Sequence, residues 1–544
     1  MLSFIDGIIV GIYAMGLVSL AIYVSRKPQG ANRNAEDYFL AGRSLPWWAI
    51  GASLIAANIS AEQIIGMSGQ GFVVGMAIAV WELTAAIALI IMAKFFLPIY
   101  LEKKIYTMPQ FLEQRFDGRV SLVLSFFWLV VYIFINLTSV LWLGSLAINT
   151  LTGLDSIYAL ILLASFSLAY SLSGGLKAVA MTDIVQVVLL IFGGLTVSYI
   201  ALNIIGGDDG NFIDGFVVLY NDLPEKFDMI LSPNILVSTY TPEAWNMQNI
   251  VIENKSYFDL PGIWILLGLG VWIGHISYWG FSQYITQRAL AAKSLPEAQK
   301  GVMFAAYLKL LMPFVIVLPG ICAFYLFPKL PVSESDTAYP TMMMQLLPPG
   351  LLGLTFAALI AAIVSSLASM TNSISTIFTM DIYRKFSEKG TDQSRLVGIG
   401  RFVVVASLLI AVVIAKPLLG SFDSIFQFIQ NFTGLFTPGI VVIFLVALFW
   451  KKATTLSVLI AAIGSVSLSL LMNFLFPELP FIHRMTIVFV VSAFACYLTA
   501  ILQGNKDQIT AINLKNINFK TSKAFNINFL IVSLILLITY VILG

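Results

Sequence analysis

The chain has 544 residues, of which 59% are hydrophobic and 11% charged, and its formal net charge is +2. A soluble globular domain carries about 25% charged residues, so this chain has too few charges to cover a water-soluble surface of its size. With a mean hydropathy of +0.91, it must be surrounded mostly by lipid. Its balanced charge and lack of long basic runs do not suggest nucleic acid as a partner. Two cysteines in apolar stretches, Cys322 and Cys496, predict neither a disulfide framework nor a metal site.

About fourteen apolar runs are long enough to cross a membrane, because a hydrocarbon core of ~30 Å takes ~20 mostly apolar residues. The first run, 2–24, predicts a transmembrane helix rather than a secretory signal, since no basic segment precedes it and it carries Asp6. The chain is therefore predicted to be an all-α integral membrane protein. In chain order the predicted spans are 4–25, 46–69, 72–100, 120–149, 156–172, 178–205, 260–286, 299–327, 346–380, 396–416, 422–450, 453–474, 483–503 and 525–543.

The basic residues predict how these spans are oriented, because loops rich in Lys and Arg stay on the cytoplasmic side. With the loop after the first span taken as cytoplasmic, 23 of the 30 basic residues fall in cytoplasmic loops and five in opposite ones. Arg115 and Arg288 are counted among the cytoplasmic loop residues. Both termini are therefore predicted to lie outside. The longest external stretch, 206–259, is acidic and predicts a solvated connector.

Two charged residues are predicted to lie deep in the membrane. Lys309 follows the inner boundary at Lys300 by nine residues, which places it ~13 Å deep, and Glu82 lies about ten residues into the third span. A charge in hydrocarbon costs ~2.5–3.5 kcal/mol, so such residues usually mark a site or a pathway. A purely structural Glu–Lys pair is the alternative interpretation.

Polar and small residues also interrupt two spans near their centres, at 56–63 and at 274–280. Such sequences favour helices that unwind inside the membrane, where freed carbonyl groups line a cavity. The two spans are five helices apart, so they enter the membrane from opposite sides. This arrangement is typical of an inverted-repeat transporter in which each five-helix half begins with a broken helix.

The chemistry of these clusters suits a sodium ion and a polyhydroxylated solute. Na⁺ is a hard cation that takes oxygen ligands, and carbonyls near Ala56 and Ile59 with the hydroxyls of Ser365 and Ser366 would supply them. A sugar needs hydrogen-bonding groups and an aromatic face. The residues that meet this description are Gln63, Glu82, Tyr278, Lys309 and Gln430. The chemistry alone leaves open whether the solute is a sugar or another polyhydroxylated molecule.

Five stretches resemble the sodium/solute symporter family, and the likeness extends over nearly the whole chain. They are DYFLAGR at 37–43, GASLIAANISAEQ at 51–63, GGLKAV at 174–179 leading to Thr182 and Asp183, QRALAAK at 287–293, and AAIVSSLAS at 361–369.

The resemblance implies a leucine-transporter-type fold of two inverted five-helix repeats, with one extra helix before them and three after. The implied units are an N-terminal helix and loop at 1–45, a first repeat at 46–206, an external loop at 207–259, a second repeat at 260–450, and three C-terminal helices at 451–544.

The resemblance also implies Na⁺-coupled uptake by alternating access, with Na⁺ as the co-transported ion. The implied sodium ligands are Ala56, Ile59, Ala362, Ser365 and Ser366, with Asp183 on the sodium exit route. The implied sugar contacts are Asn58, Ser60, Gln63, Glu82, His275, Lys309 and Gln430. The implied gates are Met67, Trp81 and Phe426 on the outer side and Tyr278 on the inner side.

Three positions depart from the sugar-transporting members that the chain resembles. Trp81 replaces a tyrosine of the outer gate, Ala85 replaces a sugar-contacting serine, and His275 replaces a sugar-contacting asparagine. These changes leave the implied sodium ligands intact. We therefore expect symport of a hexose such as galactose or glucose, with an inositol-like polyol or another polar solute as the alternative.

Other classes of membrane protein fit this sequence less well. An integral-membrane enzyme would need a carboxylate or histidine cluster, and the chain has only two histidines. Nothing resembles the repeated ligand ring of a channel filter. Proton coupling through Glu82 or His275 is the remaining alternative within transport. The resemblance places the protein in a bacterial inner (plasma) membrane, with sugar, Na⁺ and lipid as partners and no nucleic acid.

Overall fold

The structure, a computed structural model, describes residues 2–25, 40–231, 268–387, 393–420, 425–477 and 479–544. Within these ranges the chain is helical and forms no strand, only an isolated bridge between Leu45 and Ala292. The expected all-α fold is confirmed. The predicted start of the seventh span, most of the external loop 207–259, and positions 37–39 of the first resembling motif lie outside the described residues.

The helices are numbered here in chain order. They are α1 (Phe4–Ser25), α2 (Trp47–Asn58), α3 (Glu62–Val74), α4 (Met76–Lys103), α5 (Met108–Arg115), α6 (Gly118–Thr152), α7 (Ser156–Gly206), α8 (Phe212–Asp222), α9 (Leu269–His275), α10 (Gln283–Leu290), α11 (Leu295–Leu326), α12 (Ala338–Leu346), α13 (Leu351–Phe386), α14 (Gln393–Leu419), α15 (Ile425–Phe449), α16 (Thr455–Leu475), α17 (Phe481–Leu502) and α18 (Lys523–Leu543).

Ten of these helices are long and apolar enough to cross a membrane, and the bent pair α2–α3 passes the same test as one unit. The helices α4 and α13 form the centre, since 83% of the most apolar part of each is buried, against 11% for α18 at the edge. Every predicted span overlaps a described helix. The number of fourteen spans and the division into repeats stay predictions.

The fifth and sixth predicted spans are joined in the structure. Where the sequence predicts 156–172 and 178–205, helical backbone runs through the 51 residues of α7. At 1.5 Å per residue a straight helix of this length would measure ~77 Å, more than twice a hydrocarbon core, so it is too long for one membrane crossing. Its two apolar stretches, Ser156–Ala169 and Val179–Gly206, correspond to the two predicted spans. The two glycines at 174–175 lie between the predicted spans, and glycine lowers helix propensity without forbidding helical backbone.

The first predicted interruption is confirmed and lies at Ile59 and Ser60. Here α2 ends, Ile59 adopts extended backbone (φ −80°, ψ 98°), and α3 continues at an angle of 62°. The backbone N–H of Ser60 donates to Oε1 of Gln63 at 3.2 Å instead of to the carbonyl of Ala56 four residues earlier. A side chain thus satisfies the donor, and the Ala56 carbonyl is left free of its helical partner.

The second interruption lies two residues beyond the predicted stretch 274–280. That stretch is helical, first in α9 and then in a wider π-turn over Ile276–Phe281, and the backbone becomes extended at Ser282. The Tyr132 hydroxyl accepts a hydrogen bond from the backbone N–H of Gln283 at 3.0 Å and contacts Oγ of Ser282 at 3.0 Å. A tyrosine from α6 therefore stabilises the break, and no signal within 274–280 indicates this distant partner.

The first helix caps the helix that carries the predicted sodium-binding serines. Oδ1 of Asp6 accepts hydrogen bonds from the backbone N–H groups of Gly350 and Gly353, each at 2.7 Å. These groups belong to the start of α13, where backbone donors lack helical partners. Asp6 is 1% exposed and thus holds α1 against the N-terminus of α13.

Two buried side chains join segments outside the long helices. Lys226, which follows α8, donates from Nζ to the carbonyls of Phe72 and Val73 at 3.1 and 2.6 Å and so caps the last turn of α3. Asp336, in the turn before α12, accepts from the backbone N–H of Ile425 at 3.1 Å and so caps the start of α15. Both side chains are 5% exposed.

Arg115 was counted among the cytoplasmic loop residues, but it ends α5 and is only 2% exposed. Its guanidinium donates to the carbonyls of Ala447 at 3.3 Å and Trp450 at 3.0 Å, where α15 ends. It also reaches Oγ1 of Thr510 at 3.4 Å, between α17 and α18. A charge count along the sequence cannot identify such a residue, because its acceptors are backbone carbonyls more than 300 positions away.

Candidate functional site

A cavity of about 140 Å³ lies where the broken pair α2–α3 meets α4, the π-turn after α9, α11 and α15. A cavity of ~150 Å³ holds one six-membered ring, so its size suits a monosaccharide-sized ring. The predicted residues that line it are Asn58, Gln63, Met67, Trp81, Glu82, His275, Tyr278, Lys309, Phe426 and Gln430. Ser60 is the one predicted solute contact outside this lining; its hydroxyl instead donates to Oε1 of Gln63 at 3.2 Å.

The two charges that the sequence places deep in the membrane form an ion pair on the cavity wall. Nζ of Lys309 lies 2.5 Å from Oε2 of Glu82, and the two side chains are 1% and 2% exposed. The ammonium group also lies 5.3 Å from the ring centroid of Trp279, within cation–π distance. Each charge is therefore neutralised inside the protein.

One wall of the cavity is rich in hydrogen-bond acceptors. Oε2 of Glu62, Oδ1 of Asn58 and Oδ1 of Asn136 are buried, and none has a hydrogen-bond partner among the described residues. Oε1 of Glu62 accepts from the amide of Gln63 at 2.9 Å, which orients both side chains. Buried polar atoms are normally paired, so these oxygens are suited to a ligand that donates hydrogen bonds.

A chain of hydroxyl and amide groups lines the cavity around Tyr278. The amide of Asn58 donates to the Tyr278 hydroxyl at 3.0 Å, and the Tyr284 hydroxyl donates to the same oxygen at 2.8 Å. The Tyr278 ring stands edge-on to that of Tyr284, 5.8 Å away. Tyr278 therefore joins the end of α2 to α10.

Aromatic rings also line the cavity around Trp81. The Trp81 ring stacks on Phe481 at 6.4 Å and meets the edge of Phe426 at 6.5 Å. Met67 is 1% exposed and lines the same cavity. The three residues predicted for the outer gate thus lie at one cavity, together with Phe481, which the sequence analysis missed.

His275 faces α4 from the end of α9. Its Nε2 lies 2.7 Å from Oγ1 of Thr84, and its ring meets Trp81 edge-on at 5.6 Å. Ala85, which replaces a serine of sugar-transporting family members, is the next residue on α4 and is buried. His275 lines the cavity, and Ala85 is the residue next to its partner Thr84.

The predicted sodium ligands meet where α2 ends against α13. Oγ of Ser366 lies 3.5 Å from the carbonyl oxygen of Ala56, the carbonyl that the break at Ser60 frees. Ile59 lies at the break itself, and Ala362 and Ser365 lie on α13 within one turn of Ser366. Carbonyl and hydroxyl oxygens are the ligands that a hard cation prefers.

Asp183, predicted for the sodium exit route, is fully buried beside these oxygens. Its carboxylate accepts from the hydroxyls of Ser365 and of Ser53, the latter at 2.5 Å, and lies 3.6 Å from the guanidinium of Arg288. Arg288 also donates to Oγ of Ser369 at 2.5 Å.

The assignment of Arg288 to a cytoplasmic loop is wrong, because the residue lies in α10 and is 1% exposed. Sequence reasoning missed its role because a basic residue near a span end normally indicates a loop. It also omitted Glu62, although this carboxylate follows the break by two residues and is 5% exposed. The polar run 58–63 contained the signal, but only the bend of the backbone decides which of its side chains face the cavity.

The fold and the cavity define a multi-pass membrane transporter with a buried solute chamber between two broken helices. The chain belongs to the Sodium:solute symporter family, whose model matches residues 38–464. The family predicted from the sequence is confirmed, and so are its consequences: the protein is a transporter rather than an enzyme, and Na⁺ is the co-transported ion.

Named relatives support this membership. The chain is 46% identical to a sodium/glucose cotransporter of Vibrio parahaemolyticus, over 99% of this chain and 98% of the relative. It is 32% identical to the human sodium/myo-inositol cotransporter 2 and 34% identical to sheep sodium/glucose cotransporter 1. The matched parts cover 77% and 76% of this chain, and 62% and 64% of those longer proteins.

Two solved structures share the fold. One is a Na⁺-coupled sialic acid symporter in a substrate-bound outward-open state, with a TM-score of 0.78 and 22% identity over 94% of this chain and 100% of that chain. The other is a nucleobase-cation-symport-1 family transporter in a closed conformation, with a TM-score of 0.52 and 14% identity over 91% of this chain and 99% of that chain. Both likenesses concern the arrangement of helices alone.

Proposed function

We propose that this protein is a Na⁺-coupled symporter that takes up a hexose such as D-galactose or D-glucose by alternating access. The observation that carries the proposal is one cavity lined by an ion pair, unpaired acceptor oxygens and aromatic rings, beside a cluster of carbonyl and hydroxyl oxygens. The near full-length likeness to a sodium/glucose cotransporter supports the same solute class.

In this proposal the sugar ring lies between the aromatic groups and stacks on Tyr278. Its hydroxyls donate to Glu62 and Gln430 and accept from the amide of Gln63, and the Glu82–Lys309 pair offers an acceptor and a donor side by side. A sugar hydroxyl both donates and accepts, so it can satisfy oxygens that otherwise remain unpaired in a buried site. Asn58 and His275 complete the wall, and Ser60 acts indirectly by orienting Gln63.

Na⁺ binds between the carbonyls of Ala56, Ile59 and Ala362 and the hydroxyls of Ser365 and Ser366. Because these oxygens come from both α2 and α13, the ion draws the two helices together and favours the conformation in which the broken helix is correctly placed for the solute. The solute then completes closure at Met67, Trp81 and Phe426. Opening at Tyr278 releases both to the inside, and Asp183 accepts the departing ion on its route.

We further propose that the chain crosses a bacterial inner (plasma) membrane in about fourteen spans, with both termini outside. The positions of the breaks support two inverted repeats at 46–206 and 260–450, because one break falls near the start of each. The biased distribution of basic residues supports the orientation. Lipid would then contact the exposed apolar faces of peripheral helices such as α18.

The test is uptake into proteoliposomes of a labelled panel of D-galactose, D-glucose and myo-inositol, with and without an inward Na⁺ gradient at fixed pH. We expect one of the hexoses to accumulate only with Na⁺. Accumulation of myo-inositol alone would overturn the hexose assignment and keep the mechanism. Uptake that depends on a proton gradient and is unchanged by Na⁺ would overturn the proposed coupling to Na⁺.

The ion site is tested by Ser366→Ala, which removes the hydroxyl beside the Ala56 carbonyl. We expect the Na⁺ concentration for half-maximal uptake to rise at least about tenfold. Ser407→Ala is the matched control, since the Ser407 hydroxyl is equally buried but only donates to Val404 within α14. An unchanged Na⁺ dependence in Ser366→Ala would count against the proposed ligands.

A further inference from the structure

The contact between Thr84 and His275 assigns the direction of a hydrogen bond on the cavity wall. Oγ1 of Thr84 lies 2.5 Å from the carbonyl oxygen of Val80, one turn earlier on α4, and 2.7 Å from Nε2 of His275. A carbonyl oxygen can only accept, so the single hydroxyl proton of Thr84 is directed to Val80. The proton between Thr84 and His275 must therefore come from Nε2.

The imidazole is held in this position by its neighbours. It is 4% exposed, it meets the Trp81 ring edge-on, and it lies on the lining of the cavity. Among the described residues no carboxylate forms an ion pair with it, and the carboxylate of Glu82 is paired with Lys309. A neutral imidazole that carries its proton on Nε2 has a lone pair on Nδ1.

We propose that Thr84 locks His275 in the Nε2–H tautomer, so that His275 offers the solute an acceptor and no donor. The solute must then present a hydroxyl that donates to Nδ1. An amide at this position, as in the sugar-transporting relatives that the sequence resembles, offers both a donor and an acceptor and makes no such demand. Thr84 is thus a positioning residue for solute selection, acting through His275 and not by contact with the solute.

The tautomer can be tested without any solute. The chain contains only two histidines, His275 and His483, so a ¹⁵N-histidine-labelled His483→Gln background gives the signals of a single imidazole. We expect the ¹⁵N spectrum of the full chain in lipid bilayers to show a protonated Nε2 and an unprotonated Nδ1. Two protonated nitrogens, or a proton on Nδ1, would overturn the proposal.

Variants at Thr84 show whether its hydroxyl fixes the tautomer of His275. Thr84→Val keeps the shape but removes the acceptor, so the Nε2–H signal should give way to a mixture of tautomers. Thr84→Ser keeps a hydroxyl with the same two partners in reach, so it should keep the wild-type spectrum. A spectrum of Thr84→Val that equals the wild type would show that another group fixes the tautomer.

The consequence for selection rests on the proposed function and uses the transported hexose as the probe. Monodeoxyfluoro derivatives of D-galactose and D-glucose compete with the labelled sugar, since fluorine can accept a hydrogen bond but cannot donate one. At the carbon whose hydroxyl faces His275, the inhibition constant should rise at least about tenfold, because Nδ1 is left without a donor. In Thr84→Val this loss should shrink at that one carbon only, while Thr84→Ser and wild type agree.

A failure of the proposed function can be distinguished from a failure of the proposed role of Thr84. Absence of Na⁺-dependent hexose uptake overturns the proposed function and leaves the spectrum as the test of the tautomer. Hexose uptake in which Thr84→Val changes no position of the fluoro-sugar profile overturns the role of Thr84 in selection. Thr499→Val is the matched control, because the Thr499 hydroxyl donates to the Ala495 carbonyl one turn earlier on its own helix and does not line the cavity.

Discussion

At the scale of single residues, the Glu82–Lys309 pair has the largest energetic consequence. Both side chains are almost fully buried, and their charged atoms are 2.5 Å apart. A buried pair contributes little net stability, because desolvation offsets the attraction between the charges. Removing one partner is different, since it leaves the other charge without compensation.

We therefore expect Lys309→Met to lower the free energy of unfolding by about 3–5 kcal/mol, and Glu82→Gln with Lys309→Met to recover most of that loss. Thermal unfolding of the detergent-purified protein measures both. Neither variant should transport the solute, because the paired donor and acceptor are gone. Lys300→Met is the control, since Lys300 is exposed and its contact with Glu297 is 3.8 Å long. Equal stability of the single and double variants would contradict this account.

The sequence identifies buried charged residues where the free-energy cost of placing a charge in the membrane is itself the signal. Glu82 and Lys309 are identifiable because charges rarely lie deep in an apolar span. Glu62, Arg288 and Thr84 are different, because their importance depends on partners brought close by the fold. Oε2 of Glu62 faces a cavity that exists only once α2 and α3 are bent, and Thr84 matters only because His275 lies 2.7 Å away.

At the scale of elements, short segments fix the ends of the broken helices and their partners. Asp336 links the segment before α12 to the start of α15, the helix that carries Phe426 and Gln430. A Cβ added at Gly69 on α3 would lie 2.9 Å from Oδ1 of Asp336, so three elements meet closely at this carboxyl group. Burial raises the pKa of Asp336 to about 7.

This raised pKa predicts how stability depends on pH. Between about pH 4 and 7 the folded protein binds a proton at Asp336 that the unfolded chain does not, so the stabilisation is full below pH 4 and is lost as pH rises through 7. We expect the midpoint of thermal unfolding to fall between pH 5 and 8, and to fall less in Asp336→Asn. Glu334→Gln, an exposed acid of the same segment, should follow the wild type. Parallel curves for Asp336→Asn and wild type would refute the prediction.

The cap that α1 provides for α13 leads to a second prediction. Asp6→Ala should cost about 0.5–2 kcal/mol, because the backbone donors of Gly350 and Gly353 lose their acceptor. Since α13 carries Ser365 and Ser366, the Na⁺ concentration for half-maximal uptake should also rise. Asp155→Ala removes the comparable cap of α7 and should lower thermal stability without this change in Na⁺ dependence. The same Na⁺ dependence in both variants would contradict a link between α1 and the ion site.

At the scale of the whole molecule, the spans were predictable and their breaks only partly so. Lipid demands long apolar runs, so the helices follow from composition and length. The break at Ser60 was predictable because the polar run itself supplies Gln63 to satisfy a freed donor. The break at Ser282 was misplaced because Tyr132, from another helix, supplies the group that satisfies Gln283. The continuity of α7 was missed because glycines only weaken a helix.

Alternating access predicts opposite changes at the two ends of the cavity. Both native cysteines are buried, so a thiol introduced by Phe426→Cys is the main target of an impermeant maleimide. We expect Na⁺ alone to speed its labelling from outside and the transported sugar with Na⁺ to slow it, because the sugar closes the outer gate. Asp209→Cys, in an exposed turn that the proposed orientation places outside, serves as the control for reagent access. A labelling rate of Phe426→Cys that changes with neither Na⁺ nor sugar would argue against an outer gate at Phe426.

The contacts of Arg115 have a consequence for biosynthesis. Its acceptor at Ala447 is made 332 residues later, and the one at Thr510 later still. At ~5–20 residues per second, the ribosome needs roughly 17–66 s to supply the first of these carbonyls. During that interval the guanidinium lacks the carbonyl acceptors that it has in the folded protein. Final docking of α5 therefore waits for the last quarter of the chain, and a nascent protein that stops before α15 carries an unburied arginine that quality-control proteases can recognise.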